Sequence, residues 1–189
     1  MKLINRLLNF FDTLPGLALL AVLIFSLRLF VFQPFLVEGQ SMEPNLHNRQ
    51  YLIVDRLFYQ WRGGLRRGQV VVFHPPTHPE QSYIKRVIGL PGDKVNITDG
   101  QIYINGVKLT ESYLEESKTF VSQNITGNLE QQLALNQYFV MGDNRSHSSD
   151  SREWGVLPQE NIIGRAGIVL FPIPGIIKTP VYQSLAPRS

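Results

Sequence analysis

One segment near the N-terminus constrains the fold more than any other, because it is apolar and uncharged. It runs from Thr13 to Leu27 as TLPGLALLAVLIFSL and resumes beyond Arg28 as LFVF. About 19 residues of this kind, coiled as a helix, can cross a hydrocarbon core roughly 30 Å thick. Arg28 is tolerated near the far end if its long side chain reaches the interface. The run therefore predicts a single membrane-spanning anchor over residues 13–32.

The flanking charges predict the orientation of this anchor. Lys2 and Arg6 precede the run, and basic residues beside a spanning helix favour the cytoplasmic side. We therefore expect residues 1–12 in the cytoplasm and the rest of the chain on the opposite face. A cleavable signal peptide and a buried core helix are the alternatives. The following residues, LRLFVFQPFLVEG, lack a pair of small residues spaced one apart for cleavage, and the run is apolar on all faces, unlike a core helix.

The chain after the anchor has the pattern of short β-strands. Runs rich in Val, Ile, Phe and Tyr alternate with glycine and proline, as in YLIVDRL, GQVVVFHPP, SYIKRVIGLPGD, QYFVMGD and RAGIVLFPIP. Asp99-Gly100 and Asn105-Gly106 each interrupt alternating apolar and polar residues, which predicts tight hairpins. We therefore predict a mainly β exported domain over residues 33–175. Within it, the polar stretch 111–137 is an irregular excursion, and residues 176–189 form a loose tail.

Composition excludes several classes of function. Lys and Arg number 18 against 15 for Asp and Glu and are scattered, so nucleic acid is not an expected partner. Cysteine is absent, which excludes a disulfide framework, a thiolate metal site and a cysteine nucleophile. The four histidines show no paired metal-binding spacing. We expect neither a metal nor another cofactor.

Ser41 is a candidate nucleophile because of its position. It lies in GQSMEPN, between the turn-forming residues Gly39 and Pro44, about ten residues past the end of the anchor. Even a fully extended connection of roughly 33 Å keeps it near the bilayer surface. A serine in a turn is usually a capping or loop residue, so this interpretation depends on the motifs that follow.

Lys85 is the matching candidate base. It lies in SYIKRVIGLPGD, where strand alternation places Lys85 and Arg86 on opposite faces. Basic residues in a sheet usually extend to solvent from an edge strand. If aliphatic neighbours instead exclude water from Lys85, the pKa of its amine falls and a neutral amine becomes available near about pH 7 to 8. A neutral amine can accept the serine proton.

A dense polar loop, GDNRSHSSDSREWG, lies between two apolar runs. Such loops are usually solvated turns. Here carboxylates and guanidinium groups alternate closely enough to form a cross-linked network if the loop packs against the core. These groups belong to Asp143, Asp150, Arg145 and Arg152.

Four of these motifs together resemble the type I signal peptidases of the serine-lysine kind found in bacteria and organelles. They are SMEPN, GQVVVF, YIKRVIGLPGD and GDNRSHSSDSR, in that family's order and behind an N-terminal apolar run. The resemblance implies a signal-peptidase-like β-rich fold. It also implies a membrane-bound serine endopeptidase that removes signal peptides from exported preproteins and prefers small residues at positions −1 and −3.

The resemblance also implies roles for individual residues. Ser41 would be the acylating nucleophile and Lys85 its general base. Ser148 would orient the lysine amine, and four further residues would support the site: an ion pair between Asp150 and Arg152, and the structural residues Asp143 and Arg145. No metal or cofactor takes part.

The sequence departs from the family pattern at three positions. Many members carry a hydroxyl residue two positions before the nucleophile, where this chain has Gly39. We therefore expect the Ser41 N–H to bind the oxyanion, with another amide or a water. Asn45 replaces the usual threonine and Gln69 the usual aspartate, and neither change removes a proton-transfer group.

The resemblance predicts two partners, the signal peptides of preproteins and the lipid bilayer. The bacterial cytoplasmic membrane is the first choice, and a thylakoid or other organellar membrane the second. The main alternative is a catalytically inactive, membrane-anchored module that binds export substrates. A self-cleaving repressor-type peptidase would need a DNA-binding N-terminus, and a structural β domain on a stalk leaves the polar loop unexplained.

Overall fold

The computed structural model describes residues 13–61, 63–114, 128–180 and 182. The first element is helix α1, Leu14–Val31, and strand β1, Phe32–Leu36, follows it directly. Within these residues no helix combines the length and the apolar character that crossing a membrane requires. The predicted cytoplasmic N-terminus, residues 115–127 of the predicted excursion and the end of the predicted tail lie outside the described residues.

The rest of the described chain is mostly short strands. They are β2 (Tyr51–Asp55), β3 (Val70–Phe73), β4 (Tyr83–Gly89), β5 (Lys94–Thr98), β6 (Gln101–Ile104), β7 (Val107–Lys108), β8 (Leu129–Gln132), β9 (Gln137–Met141), β10 (Leu157–Pro158), β11 (Ile162–Phe171) and β12 (Gly175–Ile176). Two one-turn helices, α2 (Phe58–Trp61) and α3 (Ser151–Trp154), and a 3-10 turn at Gln159–Asn161 complete the described elements.

The strands form two antiparallel sheets. The larger has the order β1-β2-β11-β3-β4-β9-β10, and β12 pairs with β11 beyond the end of β3. The smaller has the order β7-β6-β5-β8. The prediction of a mainly β domain is confirmed. Because β4 lies between β3 and β9, the two basic residues of β4 are not on an edge strand.

The centre of the larger sheet is covered on both faces. Val70 and Val72 of β3 join one hydrophobic cluster, while Val71 and Phe73 join another. A strand covered on both faces is apolar at consecutive positions, as this one is. Any polar side chain on the neighbouring β4 is therefore removed from water unless it reaches a groove or a partner.

Both predicted hairpin turns are confirmed. Asp99 and Gly100 join β5 to β6 with φ angles of 50° and 71°, and Asn105 and Gly106 join β6 to β7 with φ angles of 52° and 82°. Two successive residues with positive φ are typical of the type I′ turn, whose twist matches that of the flanking strands.

The segment after Gly175 differs from the loose tail that the sequence predicts. Arg86 donates a hydrogen bond to the Lys178 carbonyl at 3.3 Å. Pro180 lies so close to Gly68 that a Cβ at residue 68 would stand 2.7 Å from the proline ring. Lys178 and Pro180 therefore lie against the sheet, although the sequence predicts a loose tail there.

Candidate active site

Ser41 lies in a turn that begins a few residues after β1. Two side chains of the turn, Met42 and Leu46, are 1% exposed and belong to a hydrophobic cluster. The Leu46 N–H also donates to the Met42 carbonyl at 2.9 Å. The turn is therefore anchored by buried side chains on the C-terminal side of Ser41, while Ser41 itself lines a groove.

Lys85 meets Ser41 from the middle of β4. Its Nζ lies 2.7 Å from Ser41 Oγ and 3.0 Å from the Ile84 carbonyl oxygen, and 5.3 Å from the centre of the Tyr83 ring. The lysine is 4% exposed. The structure therefore brings together two side chains that are 44 residues apart in the sequence.

Burial changes the acidity of this amine. The pKa of Lys85 is lowered from 10.5 to about 8, because the charged form is poorly solvated. The carboxylates Asp150 and Asp143 oppose this shift, and the Arg152 guanidinium adds to it. A substantial neutral fraction of the amine is therefore present near pH 8.

The groove beside the two side chains has a volume of about 500 Å³. One side is formed by the chain from Phe35 to Ser41, apart from Val37, and the other by residues 81–85. His147 and Ser149 of the polar loop complete the lining. A groove between two such segments can accept an extended peptide beside Ser41.

The polar loop after β9 contacts the nucleophile turn directly. Asn144 N donates to the Ser41 carbonyl at 3.0 Å, and Asn144 Nδ2 donates to the Gln40 carbonyl at 3.1 Å. Gly142 permits this approach, since a Cβ there would stand 2.5 Å from the Ser41 carbonyl oxygen. The polar loop therefore packs against the nucleophile turn, which is the arrangement that a cross-linked network requires.

One carboxylate of the loop, Asp150, is fully buried and has several donors. It accepts from Arg152 Nε at 2.7 Å, from Ser148 Oγ at 2.8 Å and from the Gly142 N–H at 2.9 Å. The family resemblance predicts that Ser148 orients the lysine amine. In the described part of the chain its hydroxyl instead donates to Asp150, and the Lys85 amine bonds to Ser41 and Ile84.

The other carboxylate of the loop, Asp143, pairs with Arg86. Arg86 Nε lies 2.8 Å from Asp143 Oδ1, and Arg86 Nη2 lies 2.5 Å from Oδ2. Both side chains are 1% exposed. Burial alone would lower the pKa of Arg86, but the hydrogen bonds and charge of Asp143 outweigh it, and the pKa is raised. This pair lies one residue along β4 from the candidate base.

These motifs match a known family. The model of "Signal peptidase, peptidase S26" matches residues 11–171. The chain belongs to this signal peptidase family.

Individual signal peptidases show the same similarity. Signal peptidase I U of Bacillus subtilis is 41% identical over 161 residues, which are 83% of this chain and 85% of that protein. Signal peptidase I of Bacillus licheniformis is 37% identical over 183 residues, 94% of this chain and 97% of that protein. A solved signal peptidase I from Enterococcus faecalis is 37% identical and covers 53% of this chain and 95% of its own, with a TM-score of 0.46.

The family resemblance predicted from the motifs is thereby confirmed, and so is the activity. The chain is a serine peptidase of the S26 family with signal peptidase I activity, which cleaves signal peptides. Preproteins are accordingly its substrates.

Sequence reasoning missed part of the network around this signal peptidase site. Arg145 pairs with Glu111, with Nη1 2.7 Å from Glu111 Oε2, and both side chains are buried. The Tyr113 ring centre lies 4.1 Å from the Arg86 guanidinium carbon. Both Glu111 and Tyr113 begin the polar stretch that the sequence presents as an excursion without identifiable chemistry. Neither residue carries a local signal that points to a partner so far along the chain.

Proposed function

We propose that this signal peptidase cleaves by a serine-lysine dyad in which Ser41 is the nucleophile and Lys85 the general base. The observation that carries the proposal is the 2.7 Å separation of Lys85 Nζ and Ser41 Oγ. That distance is within reach of direct proton transfer. Because the pKa of Lys85 is lowered to about 8, a neutral amine that can act as the base is available near that pH.

The reaction is an acyl transfer. The neutral amine of Lys85 accepts the Ser41 hydroxyl proton as Oγ attacks the peptide carbonyl carbon. The resulting ammonium then donates this proton to the departing nitrogen, and the C–N bond breaks to leave an ester on Ser41. The amine next takes a proton from water as the water oxygen attacks the ester carbon. The Lys85 ammonium returns this proton to Ser41 Oγ as the bond between Oγ and the acyl carbon breaks, which releases the signal peptide with a free carboxyl group and restores the serine.

The Ser41 N–H is proposed to bind the oxyanion that forms during each attack. Among the described residues, no group accepts a hydrogen bond from this N–H. Gly39 has no side chain that could donate beside it. A backbone N–H held by the anchored turn is preorganised for the developing charge, which is the property of an oxyanion hole.

The groove is proposed to bind the residues before the cleavage site as an added strand. Each side includes the end of a strand, Phe35 and Leu36 of β1 and Tyr83 to Lys85 of β4, so main-chain hydrogen bonds can hold the peptide while alternate side chains enter the groove. Phe35, Leu36 and Ile84 contribute apolar lining. We propose a preference for small residues at positions −1 and −3.

The anchor over residues 13–32 is also proposed, with a cytoplasmic N-terminus and the β domain over 33–175 on the opposite side of a bacterial cytoplasmic membrane. Large apolar side chains along α1 support it, since Leu17, Val22 and Phe25 are more than half exposed. Ile173, between β11 and β12, and Ile176, on β12, are about four-fifths exposed. Exposed apolar surface of this extent suits contact with lipid.

The dyad is tested by cleavage of a preprotein that carries an Ala-x-Ala site. The full chain, in detergent or lipid, is compared with Ser41→Ala and Lys85→Ala between about pH 6 and pH 10. We expect cleavage by the wild type alone, with a rate that rises through about pH 8 as the Lys85 amine loses its proton. Cleavage that survives Ser41→Ala would contradict the mechanism.

The membrane proposal has a separate test. Membranes from cells that express the full chain are washed at high pH, which removes peripheral proteins. We expect the chain to stay with the membranes and the β domain to be cut by protease only from the trans side. Recovery of the chain in the wash would contradict the anchor.

A further inference from the structure

Asn45 connects the nucleophile turn to two other parts of the molecule. It lies four residues after Ser41, and its Nδ2 group donates to Asp143 Oδ2 at 3.0 Å and to the Tyr113 carbonyl at 3.1 Å. An amide nitrogen has two hydrogens, and here each has its own acceptor. Neither a hydroxyl nor a carboxylate can donate two hydrogen bonds in this way.

The Asp143 connection leads back to the base. Asp143 is held by two hydrogen bonds from Arg86, and Arg86 is the residue next to Lys85 on β4. A closed ring of contacts therefore runs from Ser41 through Asn45, Asp143, Arg86 and Lys85 back to Ser41 Oγ. Any shift of the turn relative to β4 must break one of these contacts.

The same turn is tied on its other side by the polar loop. Asn144 binds the carbonyls of Gln40 and Ser41, as described above. Ser41 is thus held upstream by Asn144 and downstream by Asn45. Asn45 itself is solvent-exposed, so packing does not fix its side chain, and its two hydrogen bonds must do so.

The Tyr113 connection reaches a segment outside the sequence motifs. Tyr113 stacks on Arg86, and Glu111 pairs with Arg145. Residues 111–114 are therefore held to the same buried cations that support the site. Asn45 joins this segment to the nucleophile turn.

We propose that Asn45 is a positioning residue for the cleavage reaction: its side-chain amide fixes the Ser41 turn to Asp143 and to residues 111–114, and so sets the separation of Ser41 Oγ and Lys85 Nζ. This inference rests on the proposed dyad. A misplacement of reacting groups by about 1 Å can reduce a rate about 100-fold, so loss of the two hydrogen bonds is expected to lower kcat.

The test compares Asn45→Ala with a matched variant, Asn96→Ala. Asn96 lies on β5 in the smaller sheet, and its side chain accepts from Thr98 Oγ1. Both variants lose an asparagine amide, but only the first loses contacts to the site. kcat, KM, the pH profile and thermal unfolding are measured for the full chain with the Ala-x-Ala preprotein, with Ser41→Ala and Lys85→Ala alongside.

We expect Asn45→Ala to lower kcat roughly 10- to 100-fold while KM and the midpoint of the pH profile stay near those of the wild type, because the burial that sets the acidity of Lys85 is intact. Asn96→Ala should keep the wild-type kcat. A kcat for Asn45→Ala within about twofold of wild type would overturn the inference, as would a loss that a lower folded fraction accounts for. If Ser41→Ala still cleaves, the dyad itself is wrong, whatever Asn45→Ala does.

Asn45→Asp is a second variant that keeps the shape of the side chain. It removes both donors and places a carboxylate beside Asp143. We expect a lower kcat together with an upward shift of the pH midpoint, since another negative charge near Lys85 favours its ammonium form. A wild-type kcat for this variant would also overturn the inference.

Discussion

Lys85 and Arg86 are neighbours on β4, and both are almost completely buried. Arg86 has a carboxylate in direct contact, and its pKa is raised. Lys85 touches a hydroxyl and a carbonyl, with carboxylates only at longer range, and its pKa is lowered to about 8. Burial is therefore not what separates the two residues. The presence or absence of a bound counter-ion makes one a permanent structural cation and leaves the other able to exchange a proton.

The largest effect on activity is expected when Lys85 is replaced by arginine, the residue type of its neighbour Arg86. Lys85→Arg keeps a positive charge but has no accessible neutral form, so it cannot accept the Ser41 proton. We expect kcat/KM to fall at least about 1,000-fold at every pH from about 7 to 10. Lys94→Arg is the control, because Lys94 lies on the smaller sheet and pairs with Glu130 in solvent. Activity near that of wild type in Lys85→Arg would break the comparison.

The converse change removes the cation that is paired. Arg86→Met leaves Asp143 buried without its partner, which is expected to lower the free energy of unfolding by about 3–5 kcal/mol. Chemical denaturation of the full chain measures this loss. Lys94→Met is the control: the Lys94 and Glu130 side chains are 49% and 58% exposed, so breaking their pair leaves no buried charge and the expected loss is below about 1 kcal/mol. Equal losses in the two variants would show that Arg86 is not distinguished by its pair.

Local patterns predicted much of this fold. The hairpin turns could be predicted from an Asp-Gly and an Asn-Gly dipeptide, whose residues adopt positive φ angles in the structure. Strand β3 could be predicted from a run of valines before a phenylalanine. The site residues Ser41 and Lys85 could be selected because their flanking motifs resemble a family, although their separation in the sequence gives no distance. The structure supplies that distance, 2.7 Å.

The partners of the buried cations could not be predicted in the same way. Arg145 and Glu111 are 34 residues apart, and Asp143 and Arg86 are 57 apart. Charge alone allows other pairings among these residues. Which pairs form depends on the path of the chain between the two sheets, and a single sequence carries no local signal for that path.

The unusual proton equilibrium of Lys85 should also appear in stability. The folded pKa is about 8 and the ordinary value is 10.5, so between these values the unfolded chain binds more protons than the folded chain. Stability from this group is therefore complete above about pH 10.5 and is lost as pH falls towards 8. The full effect of the shift is on the order of 3 kcal/mol.

Lys85→Met isolates this contribution because it removes the titrating group. The quantity to compare is the free energy of unfolding of Lys85→Met minus that of wild type. We expect this difference to be more favourable to the variant at about pH 7 than at pH 10.5, by on the order of 3 kcal/mol. Urea unfolding at several pH values measures the difference, in which the titration of other groups cancels. A difference that is constant with pH would mean that the amine is not desolvated in the folded chain.

The smallest effect is expected from removing a nearby charge that does not touch the amine. Arg152 lowers the pKa of Lys85 and also neutralises Asp150, which raises it. Arg152→Met removes the first influence and leaves the second unopposed, so the pKa of Lys85 should rise. Because cleavage requires the neutral amine, the midpoint of the pH–rate profile should move upward from about 8 by roughly half a unit to one unit. Arg165→Met should leave the midpoint in place. An unchanged midpoint in Arg152→Met would mean that the Asp150–Arg152 pair positions the loop without setting the charge around Lys85, and the contrast between the two neighbours on β4 would then depend on solvation alone.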